Sequence, residues 1–172
     1  MDKKKEIHVP ERELIAAANE GMDEFIGVFV KHIRKVVGDE LTAETMPLLT
    51  GEQITLFGYD ILRDELMNGG FIQLIHNGYG PFFFDNPFAK AMRLWGAKDF
   101  SKLIYKAKEL YEVKKHELTT DCTDEEFMAL FELHPEFDDL DDVFIEAEEG
   151  ITATIASYID QHLELFAVID KD

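Results

Sequence analysis

The side chains of this chain that could carry chemistry are six histidines, one cysteine and 36 acidic residues. A di-iron centre in a helical bundle requires Glu three residues before His on two helices, whereas the residues at that offset here are Lys, Phe, Gln, Val, Phe and Ile. The segment 138–149 has acids at several EF-hand positions, but Leu140 occupies the third position and Val143 stands where the loop requires Gly. The motifs HExxH, GxSxG and the P-loop are absent from the sequence. We therefore predict no metal site and no cofactor.

Catalysis without a metal would depend on Cys122 or on the pair Glu65 and His76. Asp121 and Asp124 lie beside Cys122, and negative charges raise the pKa of a thiol and oppose formation of the reactive thiolate. Glu65 and His76 could serve a hydrolase as acid and base, but no nucleophile lies near them in the sequence. We predict that the protein is not an enzyme, and a hydrolase using Glu65 and His76 is the least favoured of three functions.

The tightest turn signals of the chain lie between residues 65 and 84. Asn-Gly-Gly at 68–70 and Asn-Gly-Tyr-Gly-Pro at 77–81 contain glycines that can adopt the positive φ angles found at helix ends. Amide side chains hydrogen-bond well to backbone groups that a turn leaves unpaired. We interpret the amides and glycines of this stretch as a structural turn that redirects the helices, formed by Asn68, Gly69, Gly70, Gln73, Asn77 and Gly80.

The negative charge of the chain is concentrated in its last third. Of the net charge of −19, residues 1–120 contribute −3 from 19 acids and 16 bases, and residues 121–172 contribute −16 from 17 acids and Lys171. Such a chain is repelled by nucleic acid and by anionic membranes, and it is attracted to basic surfaces. Residues 121–149 hold 13 acids and no Lys or Arg, a stricter choice of sign than solubility requires. We predict a partner-binding surface formed by Glu125, Glu132, Glu136, Asp138, Asp139, Asp141, Asp142, Glu146 and Glu149.

Apolar residues recur at helical spacing along most of the chain, and no segment shows the two-residue period of a strand. Pro10 favours a first helical turn, and Thr123 with Glu126 forms the pattern of a capping box. The last helix is expected to be capped by Asp141 or Asp142 and to run to about residue 169. We predict an all-α fold, a single-domain compact bundle of about seven to nine helices over residues 10–172, preceded by a flexible N-terminal tail at residues 1–9.

The sequence shows no disulfide pair, membrane span or secretory signal, and these features predict the cellular compartment. A single cysteine cannot form an intramolecular disulfide, and no apolar run reaches the roughly 18 residues that a membrane span requires. The basic N-terminus is not followed by the apolar core of a secretory signal. We expect the protein in the cytoplasm.

The turn also carries a family resemblance. Its pattern is Glu65, Asn68-Gly69-Gly70-Phe71, Gln73, Asn77 and Gly80, followed by Gly96-Ala97 at the end of a later helix. With these residues, the chain from roughly residue 50 to residue 165 resembles the small acidic bacterial family that is named after a DNA-mimic protein and was long described as a domain of unknown function. The resemblance implies an all-α homodimer without enzymatic activity. It also implies surface Asp and Glu side chains that imitate DNA phosphates and occupy the basic surface of a DNA-binding protein, such as a transcription regulator.

Two non-enzymatic functions follow from these observations. The first is a DNA mimic that does not bind nucleic acid directly and whose acidic C-terminal surface captures a basic DNA-binding protein. The alternative is a helical protein-interaction module whose acidity serves only solubility and whose binding site is the loop at Phe82, Phe83 and Phe84. Exposing all three phenylalanine rings to water is unfavourable, so some of them are expected in the core or in an interface.

Overall fold

Helices account for most of the architecture. A computed structural model describes residues 4–171, and in this range the chain forms nine α-helices, two short 3-10 helices and two three-residue strands, which confirms the predicted all-α class. The strands are β1 (His8–Pro10) and β2 (Val168–Asp170). The helices are α1 (Glu11–Glu20), α2 (Met22–Val37), α3 (Gly51–His76), α4 (Gly80–Phe84), α5 (Phe88–Leu94), α6 (Lys98–Thr119), α7 (Asp124–Leu133), α8 (Asp138–Gln161) and α9 (Leu163–Phe166).

The long C-terminal helix differs from the prediction at both ends. A 3-10 turn at Pro135–Phe137 leads directly into α8, so the helix begins at Asp138 and neither Asp141 nor Asp142 caps it. The helix ends at Gln161 because His162 has non-helical angles, with φ −139° and ψ 42°. The residues beyond it form α9 and β2 rather than further turns of the same helix.

Residues up to 60 and from 152 onward form one compact unit. Its core contains the fully buried rings of Phe29, Phe57 and Phe166, and the rings of Phe29 and Phe166 meet edge to face at 6.3 Å. The buried amide of Gln53 is paired, because its Nε2 donates to the Phe166 carbonyl at 2.8 Å. The short helix α9 is thereby held against the start of α3.

The N-terminal segment differs from the flexible tail that we predicted for residues 1–9. β1 pairs in parallel with β2, with His8 opposite Val168. Ile7 and Val9 on either side of His8 are buried, so burial of two aliphatic side chains and the strand hydrogen bonds fix this segment. Residues 1–3 of the predicted tail lie outside the described residues.

Residues 61–151 form the second compact unit, which contains all the predicted site residues. Its core is aromatic, with Phe71, Phe137 and Phe144 fully buried. The predicted Phe loop is helix α4, in which Phe83 and Phe84 are buried and Phe82 is half-buried. This stretch is therefore part of the core rather than an exposed binding loop. The organisation of residues 10–172 as a single domain stays a prediction.

No helix formed by residues 4–171 is long and apolar enough to span a membrane.

Candidate functional site

The turn at residues 68–71 is built around Gly70. Gly70 has φ 76° and ψ −170°, which interrupts α3 and frees the N–H of Phe71 from the helical pattern. The Asp141 Oδ1 atom accepts a hydrogen bond from the Phe71 N–H at 2.8 Å. A Cβ atom at Gly70 would collide with the Asp141 carboxylate. Gly70 therefore supplies both a positive φ and the space for an acid from α8.

The carboxylate of Glu65 binds two amide side chains of the turn. Glu65 Oε2 accepts hydrogen bonds from Gln73 Nε2 at 3.1 Å and from Asn77 Nδ2 at 2.9 Å. A side chain at Gly69 would collide with the Gln73 amide, and the Asn68 amide donates to the Asp64 carbonyl at 2.8 Å. Glu65 is thus the common acceptor of Gln73 and Asn77. Asn68 bonds within α3, and Gly80 lies against the ring of Tyr111.

His76 and Cys122, two side chains considered for catalysis, contact each other and neighbouring residues of the same unit. Because the Leu118 carbonyl can only accept, the 2.9 Å contact to His76 Nδ1 places a proton on that nitrogen. The His76 ring lies 4.7 Å from the Phe127 ring, and its Nε2 lies 4.0 Å from Cys122 Sγ. Burial raises the pKa of the Cys122 thiol, and nearby acids, of which Glu126 contributes most, raise it further. The thiol therefore stays protonated at neutral pH.

The 3-10 turn before α8 is attached to helix α6 by hydrogen bonds and an ion pair. Lys114 Nζ lies 3.2 Å from Glu136 Oε1 and donates to His134 Nδ1 at 3.1 Å. Because the ammonium cannot accept, His134 carries its proton on Nε2, which faces Glu117 Oε2 at 3.2 Å. Together with the buried ring of Phe137, this network holds the 3-10 turn and sets where α8 begins. No short sequence motif marks the network, because its members lie about 20 residues apart.

The predicted capping box is present at the start of α7. The Thr123 hydroxyl accepts from the Glu126 N–H at 3.2 Å, and the Glu126 carboxylate accepts from the Thr123 N–H at 3.4 Å. The acids in this first turn also favour the positive end of the helix dipole. Glu125 and Glu132 are both exposed, and a spacing of seven residues puts them on the same face of α7.

Eight of the nine predicted partner-binding acids are exposed, and five of the eight share one face of α8. At 3.6 residues per turn, these five lie within an arc of about 100°. None of the five forms an ion pair with another residue in the range 4–171. The five are Asp138, Asp139, Asp142, Glu146 and Glu149.

Glu136 is partly neutralised. Its own backbone N–H and the Lys114 ammonium stabilise the carboxylate and lower its pKa. Glu136 therefore contributes less to the negative potential of this surface than the five acids of α8.

Asp141 departs from the prediction, because it is half-buried and hydrogen-bonds to the turn, whereas the other eight acids are exposed. It lies against Gly70 and accepts from the Phe71 N–H. Burial raises its pKa from 3.8 to about 6, the hydrogen bond from Phe71 opposes this shift, and the charges of Asp138 and Asp142 add to it. The proposed surface therefore contains the other eight acids without Asp141.

No group of three or more His, Cys, Asp or Glu side chains within residues 4–171 is placed to hold a metal ion. Five acids of α8 are instead exposed as separate carboxylates along the helix: Asp138, Asp139, Asp142, Glu146 and Glu149.

Two comparisons with known proteins identify the family of this chain. The family model described as DMP19-like protein matches residues 47–162. The DNA mimic protein DMP19 of Neisseria meningitidis serogroup B (strain ATCC BAA-335 / MC58) is 33% identical over 149 residues, which cover 85% of this chain and 86% of that protein. The family resemblance indicated by the turn residues is confirmed, and the chain belongs to the DMP19-like protein family.

Proposed function

We propose that this protein is a non-enzymatic DNA mimic whose acidic surface occupies the basic, DNA-contacting surface of a DNA-binding protein. The acidic surface is defined here as the exposed acids of α7, the following 3-10 turn and the first half of α8: Glu125, Glu132, Glu136, Asp138, Asp139, Asp142, Glu146 and Glu149. One observation carries the proposal: five of these acids lie on one face of α8 without an ion-pair partner among residues 4–171. The relationship to a protein named as a DNA mimic supports it.

The spacing of charge along α8 suits mimicry. Asp138, Asp142, Glu146 and Glu149 follow one another at four, four and three residues, which separates neighbouring carboxylates by about 5–6 Å. From Asp138 to Glu149 the helix rises about 17 Å, and one strand of duplex DNA carries about five phosphates over that length. With Asp139 included, α8 also presents five negative charges over this distance.

The proposed binding of a basic partner to the acidic surface begins with electrostatic attraction. A field of one sign raises the association rate with a basic partner and suppresses binding to acidic proteins. Because these carboxylates are exposed, added salt screens them, with a screening length of about 8 Å at physiological ionic strength. Binding to the partner should therefore weaken as the salt concentration rises.

Three further proposals about the partner and the assembly rest on the family resemblance. We propose that the partner is a transcription regulator, that the protein is a cytoplasmic homodimer, and that it does not bind nucleic acid directly. Light scattering on the purified protein tests the dimer. A gel-shift experiment with labelled duplex DNA and this protein alone, in which no shift is expected, tests the last point.

The function is tested by removing charge without changing shape. Asp138→Asn, Asp142→Asn, Glu146→Gln and Glu149→Gln are combined in one variant. Immobilised wild-type and variant proteins are then exposed at low salt to the heparin-binding fraction of a bacterial lysate, and bound proteins are eluted with duplex DNA. The wild type should retain DNA-eluted proteins that the variant does not retain.

The matched control has the same change of net charge elsewhere. Asp39→Asn, Glu20→Gln, Glu40→Gln and Glu44→Gln neutralise four exposed acids outside the acidic surface. This variant should retain the same proteins as the wild type. Equal retention by the α8 variant and the control would show that the α8 charges do not select the partner, and the proposal would be lost.

A further inference from the structure

A stretch of positive charge interrupts this acidic chain at helices α5 and α6. Residues 86–108 hold six Lys or Arg residues and a single acid, Asp99. None of the six cations forms an ion pair with another residue in the range 4–171. Three of them are exposed and follow one another on α6 at spacings of four residues, which puts them in one row along the helix surface. This basic row is Lys98, Lys102 and Lys106.

The helix itself gains no stability from the basic row. Lys98 lies in the first turn of α6, where the helix dipole favours negative charge. Like charges four residues apart also destabilise a helix. Two exposed acids, Asp99 and Glu109, lie close to the row on the same helix, but neither forms an ion pair with it within residues 4–171. The row therefore presents its charge to a molecule outside the chain.

The acids of α8 form a row of the same length. Asp138, Asp142 and Glu146 are exposed at the same spacing of four residues, and each row rises about 12 Å along its helix. In the commonest packing of two helices, ridges of residues four apart interdigitate when the axes cross at about −50°. A row of three cations on one molecule therefore fits a row of three carboxylates on another, with one pair at each turn.

We propose that the basic row of α6 binds the acidic row of Asp138, Asp142 and Glu146 in a second copy of this chain, and that this dimer hides these acids from the DNA-binding partner. The inference rests on the proposed function, since it describes how the same acids are regulated. Both rows belong to the unit 61–151, in which α6 and α8 are neighbours, with the rings of Phe100 and Phe144 5.8 Å apart. A two-fold arrangement can therefore place α6 of each copy on α8 of the other.

Reciprocal pairing selects a second copy over other acidic partners. In the two-fold dimer both acidic rows meet cations, so each contact compensates charges that would otherwise repel the other copy. Duplex DNA would also bring negative charge to the basic row, but the acids of α8 in the same unit would stay uncompensated and would repel its phosphates. The same repulsion opposes an acidic protein that has no basic row of its own.

Salt affects the dimer and the partner complex differently. Two copies with a net charge of −19 repel each other at long range when little salt is present. The screening length is about 8 Å at physiological ionic strength and about 3 Å at 1 M, so moderate salt suppresses the long-range repulsion before it weakens the direct pairs. Self-association should therefore be strongest at an intermediate salt concentration, whereas capture of a basic partner weakens steadily as salt is added.

Two charge-reversed variants and their mixture test the dimer. The α6 variant combines Lys98→Glu, Lys102→Glu and Lys106→Glu, and the α8 variant combines Asp138→Lys, Asp142→Lys and Glu146→Lys. Each variant alone brings like charges together, so in sedimentation velocity at about 150 mM NaCl it should self-associate at least about tenfold more weakly than the wild type. An equimolar mixture of the two should dimerise like the wild type, because opposite charges then meet at both contacts.

Net charge cannot produce this rescue. Because each exchange shifts the charge by two, the net charge of −19 becomes −25 in the α6 variant and −13 in the α8 variant, and two acidic proteins repel each other. The matched control combines Lys5→Glu, Lys35→Glu and Lys171→Glu, which gives the net charge of the α6 variant at exposed positions outside α6. This control should self-associate like the wild type.

Several results would overturn the inference. These are a wild type that stays monomeric up to about 100 μM, an α6 variant that self-associates like the wild type, and a mixture that stays monomeric. A gel shift of labelled duplex DNA by the wild type that the α6 variant loses would assign the row to nucleic acid instead. The proposed function fails separately, if the charge-neutralised α8 variant retains DNA-eluted proteins from the lysate. The α6 variant keeps the acids of α8 and should retain these proteins at least as well as the wild type.

Discussion

Replacing Asp141 by Asn should change how the stability of the protein depends on pH. Asn keeps the size of the side chain and an oxygen that can accept from the Phe71 N–H, but it cannot ionise. In the wild type, burial raises the pKa of Asp141 from 3.8 to about 6. A carboxyl group whose pKa is raised by folding favours the folded state when it is protonated, and this contribution is lost as the pH rises through about 6.

The magnitude follows from the two pKa values. With 3.8 in the unfolded state and about 6 in the folded state, the protonation of Asp141 makes the folded state more stable at pH 5 than at pH 8, by on the order of 1 kcal/mol. The Asn variant lacks this contribution. The free energy of unfolding of the variant minus that of the wild type should therefore be more favourable at pH 8 than at pH 5, by on the order of 1 kcal/mol.

The measurement is urea unfolding of both proteins at a series of pH values, with Asp139→Asn as control. Asp139 is exposed in the same turn of α8, so its variant should follow the wild type at a nearly constant offset. Asp141→Ala also removes the acceptor of the Phe71 N–H, so it should be about 1–3 kcal/mol less stable than Asp141→Asn at every pH. Parallel pH profiles for the wild type and Asp141→Asn would refute the assignment of Asp141 as a buried group that ionises above its usual range.

The remaining predictions concern the turn and the capping box. Gly70→Ala should lower the free energy of unfolding by more than about 2 kcal/mol, because it meets both a positive φ and the Asp141 carboxylate; in contrast, Gly27→Ala, where an added Cβ meets nothing, should stabilise α2 by up to about 1 kcal/mol. Glu65→Ala should lose about 1–3 kcal/mol, because two amides lose their acceptor. Thr123→Ala should lose about 1 kcal/mol with the capping box. Chemical unfolding measures all four, and wild-type stability of Gly70→Ala or Glu65→Ala would contradict the described turn.

Helical structure could be predicted from local patterns. The capping box at Thr123 depends on a few neighbouring residues, and it is present in the structure. The pairing of residues 8–10 with 168–170 could not be predicted, because three-residue strands show no period and their partners lie at opposite ends of the chain. The burial of Phe83 and Phe84 was one of two open alternatives, since a run of aromatic residues suits a core or an interface equally.

The role of Asp141 depends on where α8 begins, which the sequence pattern predicts too late. With Asp141 or Asp142 as a cap, the segment 138–142 reads as an exposed acidic loop. With α8 beginning at Asp138, helical periodicity puts Asp141 three residues before the buried Phe144, on the inward side. The residue type alone does not indicate that Asp141 faces inward, since three acids near it in the sequence are exposed. The position of the helix boundary decided the role.

Asp141 also links the turn to the acidic surface. Its hydrogen bond to Phe71 and its contact with Gly70 fix the inward side of α8, and the same rotation of the helix turns Asp138, Asp142 and Glu149 outward. The turn therefore does more than redirect α3, because its contact with Asp141 also fixes which acids of α8 are exposed. Removing Asp141 together with its neighbours would mix loss of the turn with loss of charge. A charge-neutralised surface that spares Asp141 separates the two, and its binding defect can then be assigned to the charges alone.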